Sequence, residues 1–198
     1  MGENEKSAII YPCSYVEPLP LAELFSKQQP LEIELGAGDG SFLVAWAAKN
    51  PLHNFLGVER LLGRIRKVER KIRRIGLTNA RLLRIEAGYF LEYLLPSGSA
   101  TALHIYFPDP WPKRKHWRHR LINEQFTRVA AKALQPGGTV YLRTDDQNYF
   151  AQITEVFGKN SDFEITTTPP ELQSVLTDFE RDFQSRGVST LMAAYQRR

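Results

Sequence analysis

The chain has 198 residues, 42% hydrophobic and 24% charged, a balance that fits one globular domain and excludes a disordered or fibrous chain. Lysine and arginine exceed aspartate and glutamate by 26 to 22, so the placing of the charge says more than its +4 sum. One cysteine, Cys13, excludes an internal disulfide and a cysteine-based zinc site, and no apolar run reaches the roughly 18 residues that span a bilayer.

Residues 1–30 carry Pro12, Pro18, Pro20 and Pro30 and read as an irregular lead-in with one short helix near 21–26. The first ten residues hold no apolar leader, and with the lone cysteine this points to a reducing, cytoplasmic setting. From residue 31 strands and helices alternate. Residues 31–35 predict a strand, and 41–48 a helix with Phe42, Val44, Ala45 and Trp46 at helical spacing. A second strand follows over 54–59. Leu61, Ile65, Val68, Ile72 and Ile75 then recur every three or four residues, giving an amphipathic helix capped by Gly76. Its other face is almost wholly basic. A third strand is predicted over 81–86, a helix near 89–95 and a fourth strand over 101–107. A helix is expected over 120–134, closed by Pro136-Gly137-Gly138. A strand over 139–144, a helix over 146–157 and two late strands near 163–168 and 188–197 complete the chain. The alternation implies one α/β domain over 31–198, with a mostly parallel seven-stranded sheet and helices on both faces.

Two loops stand out. Glu34-Leu35-Gly36-Ala37-Gly38-Asp39-Gly40 joins the first strand to its helix. Glycines there permit close backbone approach to a ligand at a helix start. Ser41 stands where a nicotinamide fingerprint needs its third glycine, and there is no Gly-Lys-Ser/Thr phosphate cradle. The acids Glu34 and Asp39 repel a pyrophosphate and suit a ligand with a cationic end. Glu59 ends the second strand, placed to accept from ribose hydroxyls or to cap the next helix. Glu86 ends the third, either at an adenine edge or merely solvated. An adenosine bearing a cationic amino acid describes S-adenosylmethionine, and these residues resemble the class I methyltransferases.

The second loop, Phe107-Pro108-Asp109-Pro110-Trp111-Pro112-Lys113, leaves the fourth strand with three prolines and one acid. Seven of the eight positions from Lys113 to Arg120 are Lys, Arg or His, and ten more cations lie between Arg60 and Arg84. Basic stretches on an otherwise balanced domain suggest a polyanionic partner, although charged runs are often only solvated surface. This loop, the segment Arg143-Thr144-Asp145-Asp146-Gln147-Asn148-Tyr149 and the run Thr177-Asp178-Phe179-Glu180 together resemble the bacterial tRNA (guanine-N7-)-methyltransferases. The resemblance spans 31–198 in the family's order.

That resemblance implies a cytoplasmic enzyme, monomer or homodimer, methylating a guanosine in the tRNA variable loop. It implies that Glu34, Gly36, Gly38, Gly40, Glu59, Glu86 and Asp109 bind S-adenosylmethionine, with Asp109 the active-site acid. It assigns Lys113, Asp145, Thr177, Asp178, Phe179 and Glu180 to the guanine substrate, and it implies neither a metal nor a membrane. Three departures stand out: Glu86 replaces an Asp or Asn, Lys115 and His119 replace arginines, and the stretch before the first strand is short. Tight phosphate forks at 115 and 119 and tRNA contacts ahead of residue 31 are therefore expected to be weaker.

Guanine N7 carries a free lone pair, so the chemistry needs alignment and charge stabilisation rather than a base. Asp109 and Asp145, leaving neighbouring strands at one sheet edge, suit that task. Asp109 otherwise reads as a turn residue, Asp145 as a helix cap, and Trp111 as either a stacking platform or core. Two other functions fit the same residues less closely. An adenine amino-group methyltransferase also places an acid-proline-aromatic loop after the fourth strand. A catalytically silent RNA-binding module would need the basic face alone.

Overall fold

The computed structural model describes residues 7–198, and its centre is a sheet of eight strands. In chain order these are β1 (Ile9–Ile10), β2 (Leu31–Leu35), β3 (Asn54–Val58), β4 (Ala80–Leu83), β5 (Ala100–Tyr106), β6 (Leu134–Thr144), β7 (Phe163–Thr166) and β8 (Leu191–Arg197). They lie side by side as β1-β4-β3-β2-β5-β6-β8-β7. The first six run parallel, and β8 is antiparallel to both β6 and β7. Strands β2 and β3 are buried along their whole length, as central parallel strands covered on both faces are, even though β2 carries Glu32 and Glu34.

The sheet has one strand more than expected. Ile9 and Ile10, in the lead-in, pair with Leu82 and Leu83. Two residues, with Pro12 just beyond Tyr11, are too short a run to show periodicity, so tertiary pairing decides the element. Residues 1–6, part of the lead-in and of the leader-free stretch, lie outside the described residues.

The helices are α1 (Leu21–Leu24), α2 (Ser41–Lys49), α3 (Leu62–Ile75), α4 (Ala87–Tyr89), α5 (Glu124–Ala133), α6 (Gln147–Gly158), α7 (Pro170–Gln173) and α8 (Asp178–Ser185). A π-helical turn, Phe90–Leu94, extends α4, and a 3-10 turn, Arg114–His119, precedes α5. Leu43 and Ala47 of α2 and Ile65, Val68 and Ile72 of α3 pack on one face of the sheet. Phe126 and Ala130 of α5, Ile153 and Phe157 of α6, and Phe90 and Leu94 pack on the other. Each fully buried aliphatic of α3 contributes about 1.5–3 kcal/mol. Repulsion between neighbouring cations costs only about 0.2–0.5 kcal/mol per pair, so the helix docks despite its basic face.

The helix expected over 120–134 starts later. Asn123 accepts from Phe126 N at 3.0 Å and caps α5, so Arg120 to Ile122 form a non-helical link. Strand β6 also takes in Pro136-Gly137-Gly138, where its register against β5 shifts. The last strand begins at Leu191 rather than 188, because the chain leaves α8 at Ser185 through a turn and an irregular link over 186–190.

Chain order reverses between β2 and β5. The strand after β2 lies to one side and β5 to the other, which opens a crevice at the carboxyl ends of both. Both loops singled out in the sequence emerge there. Among the described residues no helix is long and apolar enough to cross a membrane.

Candidate active site

The loop from β2 to α2 is built by its glycines. Gly36, Gly38 and Gly40 all take left-handed backbone, with φ of 81°, 55° and 75°. At Gly40 there is a second reason, since a Cβ would come within 2.5 Å of Val68 Cγ1 on α3. Nothing lies within 4 Å of the corresponding position on Gly36, so that edge is open to a ligand. Gly36 N and Ala37 N donate to Val58 O, which pins the loop to the end of β3.

Three acids surround this loop. Glu59 is 5% exposed, and its two oxygens accept from Gly38 N at 3.0 Å and Leu61 N at 2.7 Å. It therefore braces the glycine loop and the entry to α3 at once, while Leu61 takes the cap position itself. Glu34 is buried on β2, and its Oε2 has no hydrogen-bond partner among the described residues. Burial pushes its carboxyl well above the usual range, and the nearby negative charge of Asp39 adds to this. Asp39 pairs with Lys71 at 2.5 Å, accepts from Ser41 N at 3.1 Å and shares a hydrogen bond with Asp178 of α8. Burial pushes Asp39 up, but these partners outweigh it and hold it low. Asp178 is pushed up in turn, first by that shared bond.

Glu86 caps α4, accepting from Gly88 N at 2.9 Å and Tyr89 N at 2.7 Å. It is exposed at the rim of a cleft of about 360 Å³. The same cleft is lined by Gly36, Glu59, Asp109 and Trp111. One concave space thus joins residues that lie 73 positions apart, from 36 to 109, at the strand-order reversal.

Asp109 sits exposed on a loop with left-handed backbone at both ends. Phe107 has φ of 53° and Trp111 φ of 44°, and neither is glycine. Each such residue costs about 1–3 kcal/mol, so surrounding contacts must impose the shape. Phe107 N donates to Arg143 O at 2.8 Å at one end. Arg120 Nε donates to Pro110 O at 2.7 Å at the other. Trp111 is not core: it is 37% exposed and contacts His116 and His119.

The basic run is mixed in character. Lys113, Arg114, Lys115 and Arg118 are exposed along the 3-10 turn. Arg120, read from the sequence as one more surface cation, is 2% exposed. Asp145 is exposed and does not cap α6; its neighbour Asp146 does, accepting from Tyr149 N at 2.7 Å.

The segment 177–180 splits in two. Thr177 and Glu180 form a capping box at the start of α8. Glu180 is fully buried and accepts from Arg143 Nη1 at 2.8 Å. Arg143, on β6, also donates to Val175 O at 2.8 Å and Leu172 O at 2.6 Å, and lies over the Tyr106 ring at 4.4 Å. These bonds seat α7 and α8 on the sheet. Asp178 and Phe179 are left on the outside, where Asp178 N donates to Ser41 Oγ at 3.0 Å. The C-terminal segment therefore touches the glycine-loop helix directly. The T-x-x-E spacing shows this helix start in the sequence; nothing in the sequence shows that Arg143 is its anchor.

Beneath α2 lies a polar network that sequence reading did not isolate. Glu32 accepts from Trp46 Nε1 at 2.8 Å and is bonded to His53 Nδ1 at 2.6 Å and His104 Nε2 at 2.7 Å. Burial pushes Glu32 up, but its bonds to His104, Trp46 and His53 win and bring it to about 2. A lowered carboxylate favours the folded state above its ordinary pKa of about 4.5, and that contribution fades as pH falls towards about 2. Alternating acids Glu32 and Glu34 on a buried strand are the signal that points to it.

Comparison with known proteins places this geometry in context. The family model described as "Putative methyltransferase" matches residues 28–193. A tRNA (guanine-N(7)-)-methyltransferase of Syntrophotalea carbinolica is 32% identical over 89% of this chain and 78% of its own length. One of Alkalilimnicola ehrlichii is 31% identical over 100% of this chain and 87% of its own. Among solved structures, the 16S rRNA methyltransferase KamB superposes with a TM-score of 0.66 at 16% identity, covering 89% of this chain and 92% of that one. At that identity the likeness concerns the fold alone.

Proposed function

The chain belongs to the tRNA (guanine-N(7)-)-methyltransferase family, and we propose that it transfers a methyl group from S-adenosylmethionine to N7 of a guanosine in the tRNA variable loop. The observation that carries this reading is the single cleft at the strand-order reversal, lined at once by the glycine loop, Glu59, Glu86 and Asp109.

The residues fit that cofactor. Glu34 offers a buried, unpartnered carboxylate oxygen beside the loop, which a cationic amino-acid end would satisfy. Gly36 and Gly38 give close backbone approach, and Glu59 has lone pairs left for ribose hydroxyls beyond the two amides it accepts. Glu86 spends both oxygens on capping, so adenine contact at that rim runs through the α4 backbone or the remaining lone pairs. S-adenosylmethionine supplies an electrophilic methyl on a sulfonium.

The protein's own task is alignment. N7 needs no prior deprotonation, so no general base is assigned. Asp109 accepts from the guanine N1–H and amino group and stabilises the positive charge that grows on the ring. Asp145, freed from capping by Asp146, and the exposed Lys113, Asp178 and Phe179 hold the base and its backbone. Thr177 and Glu180 serve the substrate by holding the start of α8 in place.

Incubation with labelled S-adenosylmethionine and unmodified bulk tRNA, followed by nucleoside analysis, tests the reading. The expected product is 7-methylguanosine, lost by about a hundredfold or more in Asp109→Ala, as when one preorganised electrostatic group is removed. A methylated adenine amino group would replace the reading with base-amine chemistry. Absence of cofactor binding in calorimetry would leave a silent RNA-binding module.

A further inference from the structure

Arg120 ends the basic run, yet it is shielded from any phosphate. It is 2% exposed, and its guanidinium lies over the rings of both Trp117, at 4.5 Å, and Tyr149, at 4.7 Å. Its Nη1 donates to Gln152 Oε1 at 2.9 Å on α6, and its Nη2 stands 4.0 Å from Asp146 Oδ1 at the start of the same helix. Its Nε donates to Pro110 O at 2.7 Å. That carbonyl belongs to the residue immediately after Asp109.

The Asp109 loop needs such a hold. Two of the three residues between Phe107 and Trp111 are prolines, which have no N–H to tie the turn down. Both flanking aromatics carry left-handed backbone that a free loop would relax. Arg143 O fixes the Phe107 end, which leaves the Pro110 end to Arg120. The anchor at the far side is rigid as well. Tyr149 OH accepts from Ile122 N at 2.8 Å, and Gln152 Nε2 donates to Ile122 O at 2.8 Å, so α6 grips the chain next to Arg120 from two positions. Asp145 stands one residue before Asp146, at the head of α6.

We propose that Arg120 is a positioning residue that clamps the Asp109 turn to the head of α6, setting the spacing between the Asp109 and Asp145 loops, and is not one of the tRNA-binding cations. The inference rests on the proposed methyl transfer for its kinetic readout. A planar fork is needed, because one group must bond a carbonyl and an amide oxygen while packing on two rings. Lysine keeps the charge and loses that fork.

The test is Arg120→Lys, with Gln152→Met as a second variant that removes an acceptor of the clamp and no cation. For Arg120→Lys, kcat at saturating tRNA should fall about tenfold or more, as when a reacting group is misplaced from a distance. KM for tRNA, its salt dependence and S-adenosylmethionine affinity should stay at wild-type values. Amide exchange of the peptide spanning 106–112 should accelerate with no substrate present. Gln152→Met should show the same split to a smaller degree, and it decides the matter if Arg120→Lys does not fold. Unchanged kcat and unchanged loop exchange would overturn the clamp. So would a loss confined to KM with the log–log salt slope flattened by about one unit, the mark of a phosphate contact. If the wild-type protein methylates no tRNA, the proposed reaction fails, and loop exchange still decides the clamp.

Discussion

Replacing Glu180 with alanine strands Arg143 in the interior. Glu180 Oε2 accepts from Arg143 Nη1 and from Thr177 N, and both charged side chains are buried to within 1%. Removing one partner of a buried pair costs about 3–5 kcal/mol, because the remaining charge cannot regain water. Spread over the whole fold, that loss would lower Tm by roughly 6–20 °C, at about 2–4 °C per kcal/mol for a chain of this size. The segment has a cheaper way out. Besides this pair, α7 and the turn after it rest on α2 and β5 through Leu172 and Val175, which cluster with Phe42 and Tyr106. Burial of two such side chains is worth about 3–6 kcal/mol, the same size as the loss. The segment should therefore let go locally before the sheet melts. Hydrogen exchange of 170–185 is expected to accelerate strongly, while Tm falls by less than the full range. Replacing Arg143 and Glu180 together with leucine should restore part of the protection, since no charge is then left alone. Unchanged exchange of 170–185 in Glu180→Ala would refute the reasoning.

Three further outcomes follow from the site. Because burial raises the Glu34 carboxyl, a proton competes there with any cationic group, so cofactor affinity should fall as pH drops through that raised pKa and level off above it. Glu34→Gln should bind more weakly and lose this dependence; a flat wild-type profile in calorimetry would remove Glu34 from the site. Gly40→Ala must move Val68 and hold a strained φ of 75°, so it should lose at least about 1–3 kcal/mol in thermal melts. Gly36→Ala, with open space around it, should melt closer to wild type yet bind cofactor poorly; equal stability losses would contradict the packing argument. Changing Lys115 and Arg118 together to alanine should flatten the salt dependence of tRNA binding by about one to two log–log units and spare cofactor affinity. A wild-type slope in that variant would make the exposed run simple solvated surface.

The strand–helix alternation and the two loops that line the cleft were legible in the sequence because each is local. Alternating periods mark β2 through α6, and glycines or prolines mark turns whose backbone they constrain. What was not legible depends on pairing across the chain. Ile9 and Ile10 become a strand only because β4 offers an edge. Asp146 rather than Asp145 caps α6, a choice of one residue that spacing does not resolve. Arg120 looks like its neighbours in a basic run, and only its tertiary partners, the rings of Trp117 and Tyr149, Pro110 O and Gln152, distinguish it. Arg143 precedes a conspicuous Thr-Asp-Asp, yet its partners lie 29 to 37 residues further on.

These hidden residues share one property that bears on the mechanism. A nucleophile with a free lone pair asks the protein for position rather than proton transfer, so error in position is what the fold has to suppress. Apart from Glu34 on β2, the acids proposed to meet substrate or cofactor sit on loops or at helix starts, where backbone freedom is greatest. Each loop is tied down by a buried side chain from elsewhere. Glu59 holds the glycine loop through Gly38 N, Arg120 holds the Asp109 turn through Pro110 O, and Arg143 holds the C-terminal segment through Leu172 O and Val175 O. In every case a charged side chain grips a backbone group, and so fixes the path of the chain whatever side chain the loop presents. Phe107 N on Arg143 O closes the set, because it makes the anchor of α7 and α8 a neighbour of the Asp109 loop. Displacement of either anchor is then expected to reach the proposed methyl-transfer site first as lost alignment, and only afterwards as lost binding.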